Sequence, residues 1–107
     1  MKLRKAEPGD LEAILVIEGS WPTTPHWTRR QFEGELSSPS AVFLVAEDSG
    51  LAGYGILWVL APEAQLLNLA VAYGRAGRGV GRRLLTGLMQ AAGQQGCRRL
   101  TLEVSAE

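Results

Sequence analysis

The chain has 107 residues, 46% of them hydrophobic, and its eleven basic and eleven acidic side chains cancel at neutral pH. This length suits one domain, residues 1–107, that buries roughly two-thirds of its unfolded surface. The charge balance argues against disorder, a charged tail, or a nucleic-acid surface spread over the whole domain.

Residues 2 to 6 read as a short first strand. Pro8-Gly9-Asp10 is a turn with Asp10 at an N-cap, and Leu11, Ile14, Leu15 and Glu18 mark one side of a helix running to about Gly19. An irregular stretch from Ser20 to Trp27 carries two prolines and two tryptophans. Thr28 and Gln31 then have capping-box spacing, with Trp27 and Phe32 at the staple positions, and Leu36 continues the apolar side. Ala41 to Glu47 is a buried-type strand and Asp48-Ser49-Gly50 a hairpin turn. Leu51 to Leu60 is the next strand, where Gly53 and Gly55 suggest a bend or bulge. After Pro62-Glu63, Gln65 to Val71 form a strand that stops abruptly at Tyr73-Gly74. A long helix from about Gly79 to Gln95 stops at Gly96, and Arg99 to Val104 make a last strand. The order β-α-α-β-β-β-α-β predicts an α/β fold of the α+β type, with an antiparallel centre and a final βαβ unit.

The sole cysteine, Cys97, has no intrachain disulfide partner, which suits a reducing cytoplasm. A small buried hydrophobe at a strand start is the reading favoured for it over a reactive thiol. No run approaches the roughly 18 apolar residues of a membrane span, and the basic start at Met1 to Lys5 leads into no signal-type apolar core.

The most informative stretch is Asn68 to Arg83, NLAVAYGRAGRGVGRR. A strand runs into a loop with glycines at 74, 77, 79 and 81 and arginines at 75, 78, 82 and 83. The apolar stripe Val80, Leu84, Leu85, Leu88, Met89 and Ala92 follows. The first amides of a helix lack intrahelical partners and its dipole favours anions there, while glycines allow close backbone approach. The inference is a site for a phosphorylated ligand just before Gly81. No lysine supplies a Walker A ending. A Gly-x-Gly-x-x-Gly fingerprint fails at Arg82 or Leu84. An ordinary glycine-rich turn before a core helix is the competing reading.

The pattern Arg78-Gly79-Val80-Gly81 behind Leu69-Ala70-Val71 resembles the GNAT superfamily of acetyl-CoA-dependent N-acetyltransferases. Their Gln/Arg-x-x-Gly-x-Gly/Ala loop holds the pyrophosphate of coenzyme A. The Gln/Arg position of that motif falls on Ala76, one residue after Arg75. The resemblance implies a GNAT-like mixed, mostly antiparallel sheet with helices on both faces, ending here after the fifth strand. The family's last helix and two strands would lie beyond Glu107, and an open sheet edge would favour self-association.

The ordered set Ile17-Glu18, Trp27-Thr28, Phe32, Glu35-Leu36, Gly53-Tyr54, Trp58, Asn68 to Val71 and Leu100 to Val104 is similar to the ribosomal-protein-alanine N-acetyltransferase branch. That branch acetylates the terminal amine of a small-subunit ribosomal protein. With no paired nucleophile and base in this sequence, direct transfer within a ternary complex is the expected mechanism.

In Leu102-Glu103-Val104, Glu103 alternates against apolar neighbours, so its side chain leaves by the opposite strand face. The resemblance makes it the proton acceptor, and a solvent-facing carboxylate is the equal alternative. The resemblance also implies that Leu69, Ala70 and Val71 hold the pantetheine through their backbone, with the Val71 amide on the acetyl carbonyl. Gly77, Arg78, Gly79, Val80, Gly81 and Arg82 would receive the pyrophosphate. The family's proton-donor tyrosine falls past Glu107. Tyr73 reads as a loop anchor and Tyr54 as a sheet residue. The Trp21 to Trp27 segment would line the acceptor groove, although core cover by Trp21 and stapling by Trp27 are the plainer roles. His26 has no partner spacing for a metal. A small-molecule amine acceptor and a non-catalytic acyl-CoA-binding fragment are the functional alternatives.

Overall fold

The computed structural model describes residues 1–22 and 26–102. Five strands line up in the order β1-β2-β3-β4-β5: β1 Lys2–Lys5, β2 Ala41–Glu47, β3 Leu51–Leu60, β4 Glu63–Val71 and β5 Arg99–Leu102. The first four pair antiparallel, and β5 joins β4 in parallel through the crossover helix α3, Val80–Gln94. Helices α1, Leu11–Ser20, and α2, Arg29–Leu36, precede β2. This is the mixed sheet expected from the sequence, and the bounds of β2 and β3 match the reading to the residue.

Alternation along the strands sorts the core into two layers. Phe43 and Val45 of β2 and Tyr54 and Ile56 of β3 turn to one face. There they pack with Leu11, Ile14 and Ile17 of α1 and Phe32 of α2. Ala46, Ala52, Leu57 and Ala64 turn to the other face, under Val80, Leu84, Leu88 and Ala92 of α3. Helices therefore cover both faces.

A bulge does fall beside Gly53, as expected: Ala46 pairs with Gly53 and Glu47 with Leu51, so Ala52 is an extra residue of β3. A second register shift lies at Ile56/Leu57 in the β3–β4 ladder. The two glycines also let neighbours press against β3. A Cβ at Gly53 would stand 2.8 Å from the Ala70 carbonyl oxygen and 3.0 Å from Leu84 Cδ1. One at Gly55 would stand 2.7 Å from Leu88 Cδ1.

The shift in the β3–β4 ladder is a bulge. Ile56 pairs with Asn68 and Leu57 with Leu66, so Leu67 is the extra residue. Before it, the even-numbered Ala64 and Leu66 face α3; after it, the odd-numbered Leu69 and Val71 do. Leu67 and Ala70 pack on the α1–α2 face, and Asn68 reaches Glu18 of α1 on that side.

Helix ends follow the sequence with one exception. The Thr28 side chain accepts from the Gln31 amide at 3.2 Å, Gln31 Oε1 accepts from the Thr28 amide at 2.8 Å, and Trp27 lies 5.3 Å from Phe32 between ring centroids. Gly96, at φ +88°, ends α3 in the left-handed conformation. Asp10 stands at the N-cap of α1 but does not cap it with its side chain. A 3₁₀ turn over Pro8–Asp10 already holds its backbone at φ −86°, ψ −10°, whereas side-chain capping needs an extended residue. Its carboxylate instead accepts two hydrogen bonds from Arg4, each 2.9 Å, and one from the Glu7 amide at 2.8 Å.

Candidate active site

A cavity of about 500 Å³ opens where β4 ends and α3 begins. One wall is the stretch Asn68, Leu69, Ala70 and Val71. A second is the loop at Ala76, Gly77 and Gly81. Trp21 and the carboxylate-bearing Glu18, from the α1 end, complete it.

The β4 wall presents backbone groups. Ala72 donates its amide to Ala52 on β3, whereas the Val71 carbonyl accepts from Trp21 Nε1 at 2.6 Å, on the opposite side. In an antiparallel ladder the N–H and C=O of one residue point the same way and successive residues alternate. The amides of Val71 and Leu69 therefore lie on the edge turned away from β3. The parallel pairing with β5 runs from Glu63↔Arg99 to Leu66↔Leu102.

The loop wall has the geometry of an anion cradle. Gly77 (φ +84°) and Gly79 (φ +79°) occupy the left-handed region, where a side chain is strained. Gly79 is the N-cap of α3, and the Arg83 amide closes the helix's first backbone bond, onto the Gly79 carbonyl at 3.0 Å. The amides of Val80, Gly81 and Arg82 precede that first bond and have no partner within the helix. Gly81 packs toward Val71: a Cβ there would lie 3.6 Å from Val71 Cγ2. These features fit a phosphate-bearing group, with the strand edge on one side and the helix N-terminus on the other.

The structure thus brings Leu69, Ala70, Val71, Gly77 and Gly81 to one cavity. The Val80 side chain does not reach it, being buried in the α3 layer, so Val80 offers only its backbone. Arg78 and Arg82 are exposed at the loop and the first turn of α3. Glu103 lies outside the described residues. Arg75 has another task. Its guanidinium donates to the carbonyls of Asp48 and Ser49 and lies 3.4 Å from the Asp48 carboxylate, tying the glycine loop to the β2–β3 hairpin.

Of the two roles open to Trp21 on sequence, groove lining is the one seen: it lines the cavity, holds the Val71 carbonyl and packs on Tyr73 with ring centroids 5.0 Å apart. Cys97 packs on the α3 layer as a small hydrophobe but is only half-buried, with Sγ 3.2 Å from the Glu63 carbonyl oxygen.

The residue sequence reasoning missed is Glu18. It is 8% exposed, a carboxylate set within the apolar face of α1. Oε1 accepts from the Tyr54 hydroxyl at 2.6 Å and from Asn68 Nδ2 at 3.0 Å. Oε2 meets His26 Nδ1 at 3.2 Å and the Trp27 amide at 3.4 Å. Burial pushes the Glu18 carboxyl up, but the hydrogen bonds from Tyr54, Asn68, His26 and the Trp27 amide outweigh it and hold the group below the usual glutamate range. Burial, and then the Glu18 charge, push the Tyr54 hydroxyl far above the usual tyrosine range, so it stays a donor. The available signal was Glu18 itself, a charge on the apolar stripe of Leu11, Ile14 and Leu15. Among the described residues no group of three His, Cys, Asp or Glu is placed to hold a metal. No helix there is long and apolar enough to cross a membrane.

Comparison with known proteins agrees with this geometry. A Bacillus subtilis (strain 168) protein, provisionally named a ribosomal protein bS18-alanine N-acetyltransferase, is 36% identical over 97 residues, covering 89% of this chain. The chain spans 64% of that relative's length. The crystal structure of the ribosomal-protein-S18-alanine N-acetyltransferase from Escherichia coli superposes with a TM-score of 0.85 at 27% identity, over 99% of this chain and 68% of that one. An N-acetyltransferase from Thermoplasma acidophilum in complex with coenzyme A shares the fold, with a TM-score of 0.81 at 22% identity over 99% and 80% of the two chains. The family model for acetyltransferases of the GNAT family matches residues 6–107, and the chain belongs to that family.

Proposed function

We propose that this chain carries an acetyl-CoA-dependent N-acetyltransferase site whose acceptor is the terminal α-amine of a protein, an amino-terminal alanine of a ribosomal protein being the candidate. One observation carries the reading: a single cavity joins the outward amides of β4, the left-handed glycine loop and the start of α3. The names of the Bacillus subtilis and Escherichia coli relatives support the acceptor class. A cytoplasmic setting follows from that acceptor.

Bound acetyl-CoA would supply an activated acetyl thioester. The amides of Val80, Gly81 and Arg82, with Gly77 and Gly79 keeping the approach open, would hold its pyrophosphate, and the exposed Arg78 and Arg82 would add charge. The outward groups of Leu69 would bond the pantetheine arm, with Ala70 completing the wall. The Val71 amide would donate to the carbonyl oxygen as negative charge builds there. The Trp21 bond to the Val71 carbonyl fixes the plane of the following peptide and, through it, the end of β4. Glu103 is the proposed proton acceptor for the attacking amine.

The test is acetylation of short peptides by the 107-residue chain, followed by mass spectrometry. Peptides beginning with alanine should be modified at the α-amine, and small-molecule polyamines should not. Preferential modification of small amines would sink the proposed acceptor. A Glu103→Gln variant with unchanged rate across the pH range would remove Glu103 from the mechanism.

A further inference from the structure

Glu18 is the group in the cavity that the mechanism above does not use. Its charge is unmatched by a permanent cation. Among the described residues Arg4 pairs with Asp10 and Glu47, Arg29 with Glu12, Arg75 with Asp48 and Arg99 with Glu63, while Glu18 meets only His26. Burying a lone carboxylate costs free energy even with good donors around it, and an apolar side chain at this place on α1 would pack at no such cost. Glu18 also lines the cavity beside the outward edge of β4, where the proposed acceptor amine would arrive. Its two oxygens differ: Oε1 has the short donors Tyr54 and Asn68, while Oε2 has the longer contacts to His26 and the Trp27 amide. Next to it, a second hollow bordered by Ser20, Trp21, Pro22, His26 and Tyr73 shares Trp21 with the cavity.

We propose that Glu18 determines acceptor recognition: its Oε2 receives the terminal ammonium of the acceptor, and the adjoining hollow takes the residues that follow. This rests on the acetyltransferase reading above. A carboxyl held below its usual range is a weak base, so the role is to attract and orient the ammonium rather than to accept its proton. The paired rings of Trp21 and Tyr73 border the hollow on this side.

The test uses the whole chain saturated with desulfo-CoA, at about pH 7, where an α-amine with a pKa of ~7.7–8 is mostly charged. Calorimetry compares tetra-alanine amide with its counterpart whose first residue is replaced by propionyl, which lacks only the amine. The wild-type chain should bind the amine peptide roughly tenfold or more tightly, and Glu18→Gln, likewise saturated with desulfo-CoA, should reduce that ratio to about twofold. A purely structural Glu18 would weaken both peptides together and leave the ratio intact. His26→Lys, at an exposed position, places a fixed cation beside Oε2 and should also collapse the ratio, which keeps the test open if Glu18→Gln does not fold. Equal affinities in the wild type, no measurable binding of either peptide, or an undiminished ratio in these variants would overturn the proposal. Failure of the chain to take up desulfo-CoA would instead remove the acetyltransferase reading, and this inference with it.

Discussion

Tyr54→Phe isolates one bond of the buried network. The ring keeps its place edge-on to Phe32, 5.4 Å between centroids, so packing is conserved and only the hydroxyl is lost. That hydroxyl donates to an ionised carboxylate at 2.6 Å in a fully buried setting. A hydrogen bond to a charged group contributes ~1.5–3 kcal/mol, and Glu18 keeps its other donors, so a loss of about 2 kcal/mol is expected at pH 7. In a domain of this size that lowers Tm by roughly 8–15 °C. The pH dependence gives a second signature. Glu18 has a depressed pKa in the folded chain, so its contribution is full above the ordinary glutamate value of ~4.3 and is lost as pH falls through the folded value. Removing Tyr54's hydroxyl lessens that depression. The stability gap between wild type and variant should therefore be widest at neutral pH and narrow as pH falls through the folded value of Glu18, toward ~1 kcal/mol once the bond joins two neutral groups. Urea denaturation at several pH values measures it. A gap independent of pH, or no loss at pH 7, would refute the account of Glu18 as a buried anion held by Tyr54.

Three further outcomes follow from the geometry. Gly53→Ala must push against the Ala70 backbone carbonyl and should cost about 2–3 kcal/mol, whereas Gly55→Ala meets the movable ends of Leu88 and Leu69 and should cost about 1, so thermal melts should rank them in that order. Arg75→Ala releases the glycine loop from the β2–β3 hairpin. It should lower acetyl-CoA affinity severalfold while Tm falls by only a few degrees, since exposed ion pairs contribute ~0–1 kcal/mol. Asp10, whose carboxyl Arg4 holds below the usual range, should join Glu18 in making the chain acid-labile. Stability should be level above about pH 4.5 and decline below it, and Asp10→Asn should lessen the slope of that decline.

Local signals made most of the fold legible. Thr28 and Gln31 announced α2, Asp48-Ser49-Gly50 announced the hairpin, and the spacing from Val80 to Ala92 announced α3. The glycine loop was legible for a similar reason, because glycines 77 and 79 are forced by backbone conformation rather than by a distant partner. What stayed hidden depends on contacts far apart in sequence. The bulge at Leu67 reverses the alternation of β4 and brings Asn68 to Glu18, 50 residues away, and the Tyr54 hydroxyl reaches it across 36. Nothing local fixes that register. Trp21 allows both groove lining and core cover on sequence, because an indole's burial says nothing about which carbonyl its N–H will meet. Asp10 misled because the preceding 3₁₀ turn, not the residue type, sets the backbone at the helix start.

Titration calorimetry of the 107-residue chain with acetyl-CoA, with desulfo-CoA in parallel, tests the central claim most directly. The account predicts one-to-one binding of both ligands, because the β4 edge and the α3 N-terminus hold the pantetheine and pyrophosphate that the two share. A folded chain that binds neither would contradict the assignment of this cavity as a coenzyme A site.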